Sequence, residues 1–403
     1  MTYATPLNNL VDVPDATWGV YVHVPFCTRR CDYCAFATWD DRHHLWERYA
    51  AACRAEARTR LGGQARGAAG PRPVSSVFFG GGTPSLWPAE LLVSVLESVA
   101  SSAVLAPGAE VTVECNPETV TAAKLAAYRA AGVTRLSFGA QSMVAHVLDA
   151  LGRRHEPAEV VRAARLAGEA GFAGAFNIDL IFGAAGESLS DWEGSLAAVL
   201  ALEPAPAHIS AYALTVEPGT PLAMRPDRYP DDDDQADKYL LADAVLAHHG
   251  YEWYEISNWS RPGARCAHNA LYWSQGEYTG IGCAAHSHQA LPDGSARRWW
   301  NVRTPERYCR LVEAGASTEA AGERLGPAER VWERTMLSLR TSAGVPAGLV
   351  PDELVDQGLM AWMRPSGGLG GERAVLSPRG RLLASEVALR LRCAPTPVPV
   401  ATH

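Results

Sequence analysis

Three cysteines, Cys27, Cys31 and Cys34, share one short stretch, Cys27-Thr28-Arg29-Arg30-Cys31-Asp32-Tyr33-Cys34. Spaced by three and then two residues, three thiolates reach three irons of a four-iron cubane, whereas ferredoxin runs supply four cysteines. The fourth iron is left for a ligand that is not protein. The stretch also contains a CxxC pair, which taken alone reads as half a zinc site or a redox dithiol. No second CxxC lies nearby to complete a zinc knuckle.

These cysteines must be held by something. The preceding run Val20-Tyr21-Val22-His23-Val24-Pro25-Phe26 is apolar and β-branched, and predicts a strand that feeds the cysteine loop. Further strands are expected over 74–79, ending in Gly80-Gly81-Gly82-Thr83-Pro84-Ser85, and over 110–115, 135–138, 175–182 and 208–214. Helical spacing covers 39–60, 88–100, 119–131, 157–170 and 189–202. Six βα units in a row predict an α/β fold, an incomplete (β/α)6 TIM-like barrel, with an open doubly wound sheet as the alternative. In either architecture ligands gather where the strands end, and Glu114, Gln141 and Asp179 fall at or near such ends.

Length and composition set the outer bounds. A chain of 403 residues holds a large core and an appended domain. A net charge of -8 and a pI near 5.9 speak against a nucleic-acid coat or a polybasic membrane patch. No apolar run is long enough to span a bilayer, and residues 1–17 have neither the basic nor the apolar region of a signal peptide. Nine scattered cysteines without a disulfide framework fit a reducing, cytoplasmic setting. The expected divisions are a tail over 1–17, a barrel over 18–250, a connecting segment over 251–303, a C-terminal domain over 304–393 and a disordered Pro-rich tail over 394–403. Residues 62–73, rich in Gly, Ala and Pro, read as a mobile surface loop. Asp231 to Asp234 suit the positive end of a helix over 235–249. Helices over 328–339, 352–357 and 378–391 around a hairpin predict a mostly helical, winged-helix-like module without a basic DNA-reading face.

The segments YVHVPFC, CDYC, FGGGTPS, VECNP, RLSFGAQS, FNIDLIFG and ISAYALTVEPGTPL together resemble the HemN/HemW branch of the radical SAM superfamily. The resemblance runs from about Val20 past His286. It implies a 4Fe-4S cluster on Cys27, Cys31 and Cys34 whose open iron chelates the amino and carboxylate groups of S-adenosylmethionine (SAM). It further implies that a reduced cluster cleaves SAM to a 5'-deoxyadenosyl radical. By the same resemblance Gly81, Gly82 and Thr83 form the turn beside the methionyl end of SAM, where missing side chains let backbone approach. Glu114 accepts hydrogen bonds from the cofactor. Gln141, Arg153 and Asp179 are matched to the polar set around it, and Tyr21 and Tyr33 flank the cluster.

Two features separate the branches. Proteins of the coproporphyrinogen-oxidase type carry one more cysteine two positions after CxxC and a longer N-terminal extension. Here that position is Phe36, and the first cluster cysteine is already residue 27. The segment Cys266-Ala267-His268-Asn269-Ala270-Leu271-Tyr272-Trp273 matches the HNxxYW motif of the HemW type, in which His268 is a candidate haem ligand and Tyr272 and Trp273 offer flat apolar surface to haem b. The resemblance therefore implies a haem chaperone that delivers haem to respiratory haemoproteins, at the inner membrane face. Oxygen-independent coproporphyrinogen III oxidase is the rival reading.

Overall fold

The computed structural model describes residues 18–64, 72–363 and 371–391. The tails expected over 1–17 and 394–403, and most of the loop expected over 62–73, lie outside those residues.

From Trp18 to Ala213 the chain repeats strand, crossover and return. Strand β1 (Trp18–Val24) leads to helix α1 (Trp46–Gln64), then β2 (Val74–Gly81), α2 (Ala89–Ser102), β3 (Leu105–Cys115), α3 (Ala122–Ala130) and β4 (Arg135–Gln141). There follow α4 (Ala145–Ala150), α5 (Pro157–Ala167), β5 (Phe176–Phe182), α6 (Leu189–Leu200) and β6 (His208–Ala213). Strands β1 to β6 pair in sequence order and in parallel, so the (β/α)6 expectation holds. Valine, isoleucine and phenylalanine dominate the face that packs against the covering helices, where water is excluded.

Alternation along each strand fixes what points where. Val20, Val22, Val113, Phe138, Ile178 and Ile209 join the main apolar cluster with residues of the covering helices. The intervening residues, among them Tyr21, His23, Ser76, Glu114, Ser137, Asn177, Asp179 and His208, face the interior.

The chain then adds to both sides of this set. After α7 (Asp232–His248), the pair β7 (Glu252–Glu255) and β8 (Asn258–Ser260) extends the sheet beyond β6. Helix α8 (Ala267–Trp273) crosses the interior, and β9 (Glu277–Ile281) pairs in parallel with β1. Strands β10 (His286–Ala290) and β11 (Ala296–Asn301), helix α9 (Pro305–Glu313) and β12 (Glu319–Leu325) complete a 12-stranded sheet. Five of the seven residues of β12 are exposed, which hides it from a search for apolar alternation. This late segment is fastened to α1 through Glu56. That buried carboxylate accepts bonds from the Gly282 amide at 2.8 Å, the Tyr308 and Thr318 hydroxyls at 2.6 Å each, and the Asn301 amide at 3.0 Å.

A second apolar cluster, including Leu339, Val345, Leu354, Met360, Leu376 and Val387, holds the last module. It comprises α10 (Pro327–Leu339), β13 (Val345–Pro346), α11 (Asp352–Asp356), β14 (Met360–Met363), β15 (Arg373–Leu376), α12 (Pro378–Leu382) and α13 (Ala384–Arg390). The expected hairpin is β14 with β15, to which β13 adds a third strand. The single helix expected over 378–391 is two, broken at Leu383 (φ -106°, ψ 23°). Of the four aspartates, Asp231 caps α7 through its side chain and the other three lie in the first turn, next to the helix's free amides.

Candidate functional site

The cysteine loop is tied off at its base. The Trp39 amide donates to the Pro25 carbonyl at 2.7 Å and the Cys27 amide to the Trp39 carbonyl at 3.0 Å. The His23 ring lies beneath. Its Nε2–H donates to the Ala37 carbonyl at 2.9 Å, and its Nδ1 accepts from the Tyr21 hydroxyl at 3.0 Å, which fixes the tautomer. Burial pushes the His23 pKa down to about 4, so the ring is neutral near pH 7. Spacing alone did not single out His23, although it alternates with Tyr21 toward the same face.

Cys27, Cys31 and Cys34 are all half-buried, reduced and on the wall of one cavity of about 480 Å³. Burial raises the Cys27 thiol to about 11. Thr83 Oγ1 lies 3.8 Å from Cys27 Sγ, and the Arg153 guanidinium lies 3.6 Å from Cys31 Sγ. Among the described residues, no three His, Cys, Asp or Glu side chains close on one point as ligands of a single ion.

The same cavity brings together Tyr33, Gly81, Gly82, Thr83, Glu114, Gln141, Arg153 and Asp179. Gly81 has φ +112°, and a Cβ there would stand 2.4 Å from the His23 ring; at Gly82 it would stand 2.7 Å from the Phe26 carbonyl. The turn therefore requires glycine. Glu114 accepts the Gly81 amide at 3.0 Å, and burial, reinforced by Asp179, raises its pKa to about 8. Gln141 sits at φ +64° beside a register shift in β4 and lines the cavity. Arg153 donates to Asn116 Oδ1 at 2.9 Å and the Gly139 carbonyl at 3.0 Å, and so ties the ends of β3 and β4 to the cysteine loop. Tyr21 is the exception: it stands below the cavity, stacked on Phe78 and His268. Asn116, Ser137 and Tyr212 also line the cavity, and spacing did not single them out. Phe36 lines its mouth and is 66% exposed.

These residues fit the implied groups. Three sulfurs on one wall leave the fourth ligand position to come from the cavity, and the bare glycine turn and the Glu114, Gln141 and Asp179 acceptors stand beside that opening.

The HNxxYW segment lies elsewhere. Helix α8 closes the end of the barrel opposite the cysteine loop. His268 is 1% exposed and uses both ring nitrogens, Nδ1 with Ser76 Oγ at 2.8 Å and Nε2 with the Tyr272 hydroxyl at 2.9 Å. Burial lowers its pKa to about 3. The ring stacks on Phe78, and Tyr272 meets Tyr278 edge-on. In this arrangement both ring nitrogens of His268 are already engaged, while Tyr272 and Trp273 are half-buried beside it.

Comparison with known proteins agrees with the geometry. Residues 21–199 match the Radical SAM superfamily. A Mycobacterium tuberculosis protein named heme chaperone HemW is 40% identical, covering 96% of this chain and 97% of that one. The Escherichia coli protein of that name is 38% identical over 75% of this chain and 79% of its own. The solved coproporphyrinogen III oxidase HemN of Escherichia coli, described as a radical SAM enzyme, superposes with a TM-score of 0.76 at 21% identity, covering 94% of this chain and 91% of that chain, and so shares the fold. No helix among the described residues is long and apolar enough to cross a membrane. With the cysteine loop, the glycine turn and near full-length relatives in agreement, the chain belongs to the HemW family of the radical SAM superfamily.

Proposed function

We propose that this chain is a cytoplasmic haem chaperone that binds haem b and passes it to haem-accepting respiratory proteins, while carrying a 4Fe-4S cluster on Cys27, Cys31 and Cys34 and SAM in the adjoining cavity. The observation that carries the reading is the 40% identity over 97% of a relative bearing that name, supported by Phe36 where the oxidase type has a further cysteine. Gly81 and Gly82 admit the methionyl end of SAM, Glu114 and Asp179 accept its polar hydrogens, and Arg153 holds the strand ends in place. When bound, the reduced cluster supplies one electron to the sulfonium.

Anaerobically reconstituted protein is mixed in parallel with haem, and with coproporphyrinogen III plus SAM and a reductant. A stoichiometric Soret band without decarboxylated product is expected. Turnover of coproporphyrinogen overturns the reading in favour of the oxidase.

A further inference from the structure

The interior below the cavity holds a polar chain whose donors all point one way. The Asn269 amide donates to the Tyr254 hydroxyl at 3.2 Å, and that hydroxyl donates to His208 Nε2 at 2.8 Å. His208 Nδ1–H donates to Asn177 Oδ1 at 2.6 Å, and the Asn177 amide donates to Asp179 Oδ1 at 2.7 Å. The Ser137 hydroxyl completes the set on Asp179 Oδ2 at 2.9 Å. Tyr254, His208 and Asn177 are each no more than 4% exposed. Burial, with Arg135 nearby, keeps the His208 ring neutral, which is the state the direction of the chain requires. Successive bonds of one polarity strengthen one another in a low dielectric, and here the polarity ends on a carboxylate at the cavity wall.

The origin of the chain is anchored. His268 and Asn269 are neighbours, yet His268 grips Ser76 on β2 while Asn269 grips Tyr254 and Glu255 on β7. Helix α8 therefore spans the two sides of an open barrel and fixes the distance between them.

We propose that Asn269, Tyr254, His208 and Asn177 are positioning residues that hold Asp179 as an oriented acceptor for SAM, so that the HNxxYW segment serves the SAM site as the floor of its chamber and not as the seat of haem iron. The proposal rests on the reading that SAM occupies the cavity. It gives the motif a task that the bonds already made by His268 and Asn269 perform as they stand.

The test measures SAM affinity by calorimetry, iron content, melting temperature and the Soret band on the full reconstituted chain. Tyr254→Phe removes one hydroxyl and is expected to weaken SAM binding about three- to tenfold with iron content and Soret band unchanged. His208→Leu does the same. His208→Gln restores affinity, because its amide donates to Asn177 and its carbonyl accepts from Tyr254. In an Asp179→Asn background the effect of Tyr254→Phe disappears, whereas a general loosening of the barrel gives additive losses. SAM affinity unchanged in folded Tyr254→Phe and His208→Leu, or additive losses, overturns the proposal. So does a lost Soret band in Asn269→Ala with SAM affinity intact, which returns the motif to haem. If the unaltered protein binds no SAM, or Asp179→Asn leaves its affinity unchanged, the reading of the cavity fails as well.

Discussion

The carboxylate of Glu114 and the backbone amide of Gly81 meet at 3.0 Å across β2 and β3, and this bond ties a strongly perturbed acid of the cavity to the glycine turn. Because the amide favours the carboxylate while burial and Asp179 oppose it, with burial the larger, the group keeps its proton until about pH 8.

Binding of a cationic ligand should therefore depend on pH. Below pH 8 Glu114 is largely neutral and must lose a proton to meet an ammonium or sulfonium. SAM affinity is expected to rise from pH 6 toward pH 8.5 and then level, with a slope of at most about tenfold per pH unit. Calorimetry in buffers of different ionisation enthalpy should detect the released proton. Glu114→Gln should flatten the profile, and an unchanged profile in that variant contradicts the assignment.

Acid should loosen the fold through its buried histidines. His23 and His268 are depressed to about 4 and about 3 from an ordinary value of 6.5. A depressed group contributes stability that is full above its unfolded pKa and is lost as pH falls toward its folded one. At pH 5 each should have lost on the order of 2 kcal/mol. Urea unfolding at pH 7.5 and pH 5 measures the drop, and equal stabilities would refute it.

Gly19 tests the seat of α8. A Cβ there would stand 2.6 Å from Leu271 Cδ2 and 3.1 Å from the His268 ring. Gly19→Ala should cost about 1–3 kcal/mol through overpacking. Gly62, also inside its element but with open space around its Cβ position, is the control, and Gly62→Ala should gain about 0.5–1 kcal/mol. Denaturation of both variants reports the contrast, and equal effects would remove the steric argument.

Glu56→Ala should be more damaging than either. It removes the acceptor of the Tyr308 hydroxyl and the Gly282 amide in the interior, and takes one partner each from Thr318, Asn301 and Arg60, the last at 3.0 Å. A loss of roughly 3–5 kcal/mol is expected, with protease cleavage appearing first between β10 and β12. Wild-type stability in this variant would show that the late strands are held by other contacts.

The barrel was legible because its strands are short apolar runs, β2 to β5 closed by glycine, asparagine or glutamine, and most of the cavity residues stood at or near those closures. Strands β9 to β12 were not, since β12 is polar and exposed and β9, Glu-Tyr-Thr-Gly-Ile, is too short to read as a core strand. In the site, the cysteines, Gly81, Gly82, Thr83, Glu114, Gln141, Arg153 and Asp179 came together as spacing and resemblance implied. His23 and Asn116 escaped because each acts through bonds to backbone and neighbouring side chains that no spacing reveals. The placement of His268 depended on α8 turning into the barrel, which follows from the Ser76 and Glu110 contacts and not from the motif.

The parallel pairing of β1 with β9 has a consequence for the order of events during synthesis. Tyr21 lies between Phe78 and Gly280, so one neighbour of the strand that presents the cysteines is made soon after it and the other only when most of the chain has left the ribosome. Until Ile281 is available, β1 is an edge strand with one row of backbone groups unpaired. The cysteine loop is thus made long before its scaffold is complete, because the second partner of its strand comes from a segment far along the chain.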